Sequence, residues 1–406
     1  MKKLFLFVAL VALLHSCTTQ DVKVEVYNPT DFARVNEMVE VDYPAIAKQL
    51  SLADDARIVV LDTTGEQVPY QITYDGKLIF QTTLEPLSRA EYTVKAGVPD
   101  SFAVKTVGDY YPERVDDIAW ENDCIAFRTY GPALQATGEK AYGYDVWVKC
   151  VDYPVVAARY DGELNPATVA EINRLKETNP DSAQALYESV SYHVDHGNGL
   201  DYYKVGPTLG AGTSALLDAD GKIVYPYCYA KYEILDNGPL RFTMRLEYLP
   251  FAYGNDTVTE SRLVSLDAGS QLNRIDVSYA GLSQPATMVT GIVLHDTDSV
   301  MSYDAEAGYA AYADPADSIN GRTFIGMAYP AAVQVATPVY FDEAERTERG
   351  AEGHLLMQQT YVPDSTVTYY AGAGWDKWGF DTPEDWFEYM KYFATTLRTP
   401  LEVSIK

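Results

Sequence analysis

A mainly β protein is what this sequence predicts: a large sandwich, a smaller β-unit ahead of it, and one firm helix near the C-terminus. Three observations carry that expectation. Apolar and polar residues alternate with a period of two in segment after segment, the pattern of half-buried strands. Asp75-Gly76 and Asp220-Gly221 lie between such segments as hairpin turns, because both residue types tolerate positive φ. Tyrosine is abundant, with 33 residues against 13 Phe and 5 Trp, and its flat ring with a polar tip suits strands and binding grooves.

The chain opens on the basic Met1-Lys2-Lys3 and an apolar run from Leu4 to Leu14. That run is shorter than the roughly 20 residues a spanning helix needs, so residues 1–17 read as a secretory signal. It ends in Leu14-His15-Ser16-Cys17, which resembles a bacterial lipobox. The resemblance implies cleavage before Cys17, lipidation of its thiol, and a lipid-anchored protein of the cell envelope, at the periplasmic face or the surface of the outer membrane. Net charge agrees with an anchor as the one membrane contact. Lys and Arg number 31 against 58 Asp and Glu, a balance of −27, which repels anionic lipid and excludes nucleic acid as a partner. Beyond Cys17 the remaining cysteines are Cys124, Cys150 and Cys228, with no CxxC spacing, and they read as buried, inert thiols.

Val22 to Val26 alternates as a strand, and Arg57 to Leu61 is another. Tyr70 to Tyr74 and Leu78 to Leu84 flank Asp75-Gly76, and Glu91 to Ala96 completes the set. Residues 22–105 are therefore expected to form a small antiparallel sandwich, and residues 106–406 the large domain. Within the latter, Leu240 to Tyr248 places Phe242, Met244, Leu246 and Tyr248 on one face and Arg241, Thr243, Arg245 and Glu247 on the other. Leu272 to Tyr279 and Met288 to His295 read the same way. Pro166 to Lys176 and Pro180 to Val190 carry helical spacing, which predicts a helical insertion over 166–190. The C-terminal helix begins at Thr382-Pro383-Glu384-Asp385, a cap hydroxyl followed by Pro and acids in the first turn. Trp386, Met390, Phe393 and Leu397 form its apolar stripe.

Chemistry concentrates between Ser191 and Gly206. His193 and His196 lie there beside acids, glycines, Tyr202, Tyr203 and Lys204. Histidine exchanges protons near neutrality, and glycine lets a loop approach a ligand. A structural, hydrogen-bonded loop is the competing reading. Asp195 to Asp201 also offers oxygen ligands, so calcium is an open cofactor, although the EF-hand spacing and terminal Glu are missing. A second stretch, Tyr111 to Pro132, holds Asp116, Asp117, Glu121 and Asp123 as candidates for a catalytic carboxylate pair, with a strand–turn–strand through Asn122-Asp123 as the competing reading. Arg128 follows the apolar Ile125-Ala126-Phe127; its planar fork suits a carboxylate, from substrate or from Asp145 in the core. Tyr142 to Lys149 is a strand with aromatics at alternate positions, and Trp375, in a Gly-rich turn, is a candidate groove rim. No phosphate loop, dinucleotide fingerprint, HExxH or nucleophile elbow is present.

The lipobox, the run Tyr111-Pro112-Glu113-Arg114-Val115-Asp116-Asp117-Ile118-Ala119-Trp120-Glu121-Asn122-Asp123, the run Tyr142-Gly143-Tyr144-Asp145-Val146-Trp147, the loop from His193 to Gly212 and the stretch from Trp375 to Trp386 together resemble domain-of-unknown-function family 4861. The resemblance covers nearly the whole mature chain. It implies a bacterial secreted protein or lipoprotein of glycan-utilisation loci and, by fold analogy, the β-supersandwich of galactose mutarotase-like proteins and polysaccharide lyases. It supplies no catalytic residues. The expected function is a carbohydrate-active lipoprotein, a lyase or hydrolase on uronate-containing oligosaccharides. In that reading His193 or His196 is the base, Tyr202 or Tyr203 the acid, and Arg128 or Arg245 the group neutralising the sugar carboxylate, with Asp145, Lys204 and Trp375 binding substrate. The alternatives are a non-catalytic glycan-binding lipoprotein and a mutarotase-like epimerase.

Overall fold

The computed structural model describes residues 21–53, 56–298 and 300–406. The expected signal and the lipidation site Cys17 lie outside them.

Two small sheets form first. Val22–Tyr27 pairs with Arg89–Ala96, which pairs with Ile58–Leu61. Arg34–Asp42, Lys77–Leu84 and Tyr70–Ile72 make the second sheet. The alternation read from Val22 onward is realised: Val22, Val24 and Val26 are fully buried and the residues between them half-exposed. With Val39, Val41, Leu78, Phe80 and Val94 they fill one core. The Asp75-Gly76 turn closes its hairpin as expected, with Gly76 at φ 77°. The strand Glu402–Ile405 adds antiparallel to Val22–Tyr27, pairing Val24 with Ile405 and Tyr27 with Glu402. The last residues thus join the N-terminal sheet, whereas the sequence-based boundary gives them to the large domain.

The rest is the expected supersandwich. One layer is a nine-stranded sheet that runs from Tyr229–Asn237 to Val300–Asp304. Its inner face carries Phe242, Met244, Leu246, Val264 and Ile275, all fully buried. The facing layer consists of two five-stranded sheets, joined where Tyr144 bridges Gly210. One contributes Met288, Ile292, Leu355 and Met357 to the common core, and the other Ile118, Trp120, Phe127 and Val146. The helix Pro383–Arg398 covers part of the nine-stranded sheet's other side, burying Trp386 and Met390 against Ala311, Phe324 and Ala328. Its capping box is formed as the sequence predicts: Thr382 accepts from the Asp385 N–H while the Asp385 carboxylate accepts from the Thr382 N–H.

The insertion holds three helices, Val156–Leu164, Pro166–Thr178 and Pro180–Val190. The second and third are the expected pair. The first has no local cap. Its orphan N–H groups at Val155 and Val156 donate instead to the buried carboxylate of Glu121, at 2.8 Å each, and Glu121 also receives Lys149 Nζ at 2.6 Å.

Candidate functional site

The five-stranded sheet with strands Val107–Tyr111, Asp117–Glu121, Ala126–Thr129, Asp145–Lys149 and Gly199–Asp201 has two unlike faces. Side chains alternate along each strand. Ile118, Trp120, Phe127, Val146, Val148 and Leu200 therefore face the main core. Asp117, Arg128, Asp145, Trp147 and Asp201 share the other face, beneath the helix Val156–Leu164 and Tyr192. Register brings them together: Arg128 lies opposite Asp145, and Trp147 opposite Asp201. Gly199 permits the last pairing. At φ 93° it runs so close to the neighbouring strand that a Cβ would sit 2.0 Å from the Val148 carbonyl oxygen.

Arg128 is the hub. Its Nε donates to Asp145 at 2.8 Å, and its Nη2 to Asp145 and, at 2.8 Å, to Asp201. Nη1 stands 3.6 Å from Asp117. Tyr130 donates to Asp145 at 3.0 Å and Tyr160 to Asp117 at 3.1 Å. The guanidinium also lies 5.1 Å from the centre of the Trp147 ring. Three carboxyls around one buried cation cannot all ionise cheaply. Burial, the dominant cause, pushes Asp201 up to about 8 against the pull of Arg128, and Asp145 adds to the rise. Burial likewise pushes Asp117 up to about 6. Asp117 Oδ1, Arg128 Nη1, Trp147 Nε1 and Arg159 Nη1 are buried with no hydrogen-bond partner. Four orphans in one layer leave polar capacity for a ligand or water.

At the edge of this layer the site meets solvent. His193 Nδ1 lies 2.8 Å from the Asp201 carbonyl oxygen and 3.7 Å from its carboxylate. A carbonyl only accepts, so Nδ1 carries the hydrogen and Nε2 keeps a lone pair, on a side chain 46% exposed. The Tyr192 ring stacks at 4.8 Å on Trp147 and lies 4.5 Å from the His193 ring. Its hydroxyl accepts from Arg114 Nε at 2.9 Å. Arg114 is half-buried and, among the described residues, makes no salt bridge. A proton acceptor and a spare cation thus flank one aromatic side chain.

The expected site residues divide. His193, Arg128 and Asp145 converge, but Arg128 and Asp145 satisfy each other in the interior, so neither is free for substrate. Arg114, with no salt bridge among the described residues, is the nearby guanidinium that stays without a carboxylate partner. His196 donates from Nε2 to the Ser191 carbonyl at 3.0 Å on the exposed loop. Tyr202 accepts from Thr323 at 2.8 Å, and the Tyr203 hydroxyl is buried without a partner. Burial pushes both phenols up, opposite to the lowering expected from a nearby cation. Lys204 is exposed, and its carbonyl oxygen lies 2.9 Å from His295 Nε2. Arg245 points outward from the nine-stranded sheet to Glu233 at 2.7 Å, away from the layer around Arg128. Trp375 is no groove rim: it is buried in the main core, with Nε1 donating to Asn320 at 2.8 Å.

The calcium reading meets a similar correction. The Asp195 carboxylate accepts from the loop's own Gly197 and Gly199 N–H groups, while Asp201 turns to Arg128, so their oxygens do not converge. Among the described residues no group of three His, Cys, Asp or Glu side chains is placed to hold a metal ion. The three thiols are free, and burial pushes each up.

Sequence reasoning passed over Arg114, Tyr160 and Tyr192 as site residues, and it read Asp117 and Asp201 in other roles, as a catalytic carboxylate and a calcium ligand. The signal was there. Charged residues at same-face positions of otherwise apolar strands need buried partners, and Asp117, Arg128 and Asp145 fit that description.

Comparison with known proteins adds three findings. A sequence profile of the family described as "Domain of unknown function (DUF4861)" matches residues 26–403. A protein of Formosa agariphila, described as uncharacterized protein P7, is 28% identical over 423 aligned positions, covering 98% of each chain. Among solved structures, an α-mannosidase from Enterococcus faecalis superposes with a TM-score of 0.51 at 8% identity, over 95% of this chain and 46% of that one. A glycosyl hydrolase family 38 protein from Enterococcus faecalis gives 0.48 at 8% identity, over 95% and 47%. This chain spans a little under half the length of either, and the likeness to the α-mannosidase is one of fold.

Proposed function

This chain belongs to the family described as domain of unknown function DUF4861, and from that premise we propose that it is a lipid-anchored, carbohydrate-active enzyme that cleaves uronate-containing oligosaccharides by elimination. The observation carrying this reading is the pairing of His193, whose ring is half-exposed and keeps the Nε2 lone pair, with the guanidinium of Arg114, which has no carboxylate partner among the described residues, across the Tyr192 ring. Arg114 binds the sugar carboxylate through its planar fork and stabilises the charge that develops when the C5 proton leaves. His193 Nε2 takes that proton. The C5–H electron pair becomes the C4=C5 double bond as the C4–O bond breaks, and the imidazolium returns its proton to the departing oxygen. Asp201 holds the His193 ring through its carbonyl oxygen. The fold likeness to an α-mannosidase supports a carbohydrate partner. The anchor at Cys17, a cell-envelope location, and the division into units 22–105 and 106–406 belong to the same proposal.

Incubation with uronate oligosaccharides, followed by the ultraviolet absorbance of the unsaturated uronate product, tests it. His193→Ala is expected to lower kcat by roughly 100-fold or more, and Arg114→Lys to raise KM through loss of the fork. Full activity in His193→Ala overturns the assignment of the base. Binding without product from the unaltered protein favours the glycan-binding alternative.

A further inference from the structure

A second recess opens between the edge of the five-stranded sheet that ends in Ile223–Val224 and the nine-stranded sheet. It shares no lining residue with the Arg114 and His193 site, and its volume is about 260 Å³. Its walls are aromatic: Tyr225, Tyr227, Tyr248, Phe251 and Tyr279. Glu260 also lines it, although its residue is 3% exposed. Arg262, behind it, donates from Nε to Glu260 Oε1 at 2.6 Å, and Ser214 donates to the same oxygen at 3.4 Å. The Arg262 guanidinium stacks at 4.5 Å over the Tyr248 ring, on the wall of the recess. The Tyr279 hydroxyl is buried beside Ser214.

We infer that this recess binds one neutral saccharide unit. Its volume lies just below the roughly 300–1,000 Å³ of pockets that take drug-sized ligands, which suits a single ring. Aromatic walls accept the apolar C–H face of a pyranose. A sugar hydroxyl donates to the Glu260 carboxylate and accepts from the Tyr279 hydroxyl. Charge selects against uronates here. The Arg262 nitrogens are taken by Glu260, by the Ser214 carbonyl at 3.1 Å and by Tyr144 at 3.3 Å, so a ligand carboxylate meets Glu260 without a free cation. The inference stands on these contacts alone and goes beyond the uronate chemistry proposed for Arg114.

The full chain is titrated with D-xylose, D-galactose, D-glucose and D-glucuronate by ligand-observed NMR. At least one neutral sugar is expected to bind, and Tyr227→Ala or Phe251→Ala to weaken that binding roughly fivefold, the loss expected of one aromatic contact. Tyr227 is 53% exposed, so its truncation leaves the fold intact. His193→Ala is expected to leave neutral-sugar binding unchanged, which separates this site from the other. Absence of binding by all three neutral sugars, or undiminished binding in both aromatic variants, overturns the inference.

Discussion

Asp201 shows how one side chain joins stability to chemistry. Its carboxyl is fully surrounded, accepts from Arg128, and still keeps its proton to about pH 8, because desolvation outweighs the nearby guanidinium. An unfolded aspartate releases its proton near pH 3.9. Between those values the folded state binds more protons than the unfolded one. The stabilisation is therefore whole below about pH 4 and is lost as pH rises through about 8. Asp201→Asn, which still accepts from Arg128 but does not titrate, is expected to flatten that decline in denaturant unfolding measured from about pH 5 to 8. An unchanged slope would place the extra proton elsewhere. His193 was legible from its type and its Gly-rich surroundings. Arg114 and Tyr192 were not, because what distinguishes them is who stands beside them, and one sequence carries no register between strands.

Elements were legible where their signals are local. The Asp75-Gly76 and Asp220-Gly221 hairpins, the alternating strand Arg241–Tyr248 and the helix Pro383–Arg398 all follow from residues within a few positions of one another. The helix Val156–Leu164 was missed for the opposite reason. Its N-terminus is satisfied by Glu121, from a strand far earlier in the chain, which no capping pattern announces. The two kinds of cap predict different costs. Thr382→Ala removes a local, solvent-facing cap and is expected to destabilise by about 1 kcal/mol. Glu121→Ala strands the fully buried Lys149 ammonium as well as two helix N–H groups, and is expected to cost about 3–5 kcal/mol. Comparing the two by urea unfolding checks the order; equal losses would mean that Lys149 finds water.

At the scale of the molecule, the sandwich architecture was readable because its inner faces repeat one rule, an apolar residue at every second position. The site was less so, since it occupies a buried face where charge replaces apolar side chains. The N-terminal unit has its own lesson. Its first strand is sealed on one side by Arg89–Ala96 and on the other by Glu402–Ile405. Deleting residues 401–406 removes Leu401 and Ile405 from the margin of that core and bares the strand edge beside Val24 and Val26. The shortened protein is expected to melt lower and to aggregate sooner on heating, by calorimetry and light scattering. An unaltered melt would show that the edge needs no cover.

That seal also sets a timetable. A polypeptide leaves the ribosome first residue first, at roughly 5–20 residues per second. The strand Val22–Tyr27 therefore precedes its outer neighbour Glu402–Ile405 by tens of seconds of synthesis. Throughout that interval the newborn chain offers an unzipped β-ribbon to whatever holds it, and the arrival of Glu402–Ile405, rather than any local propensity, is the event that closes it.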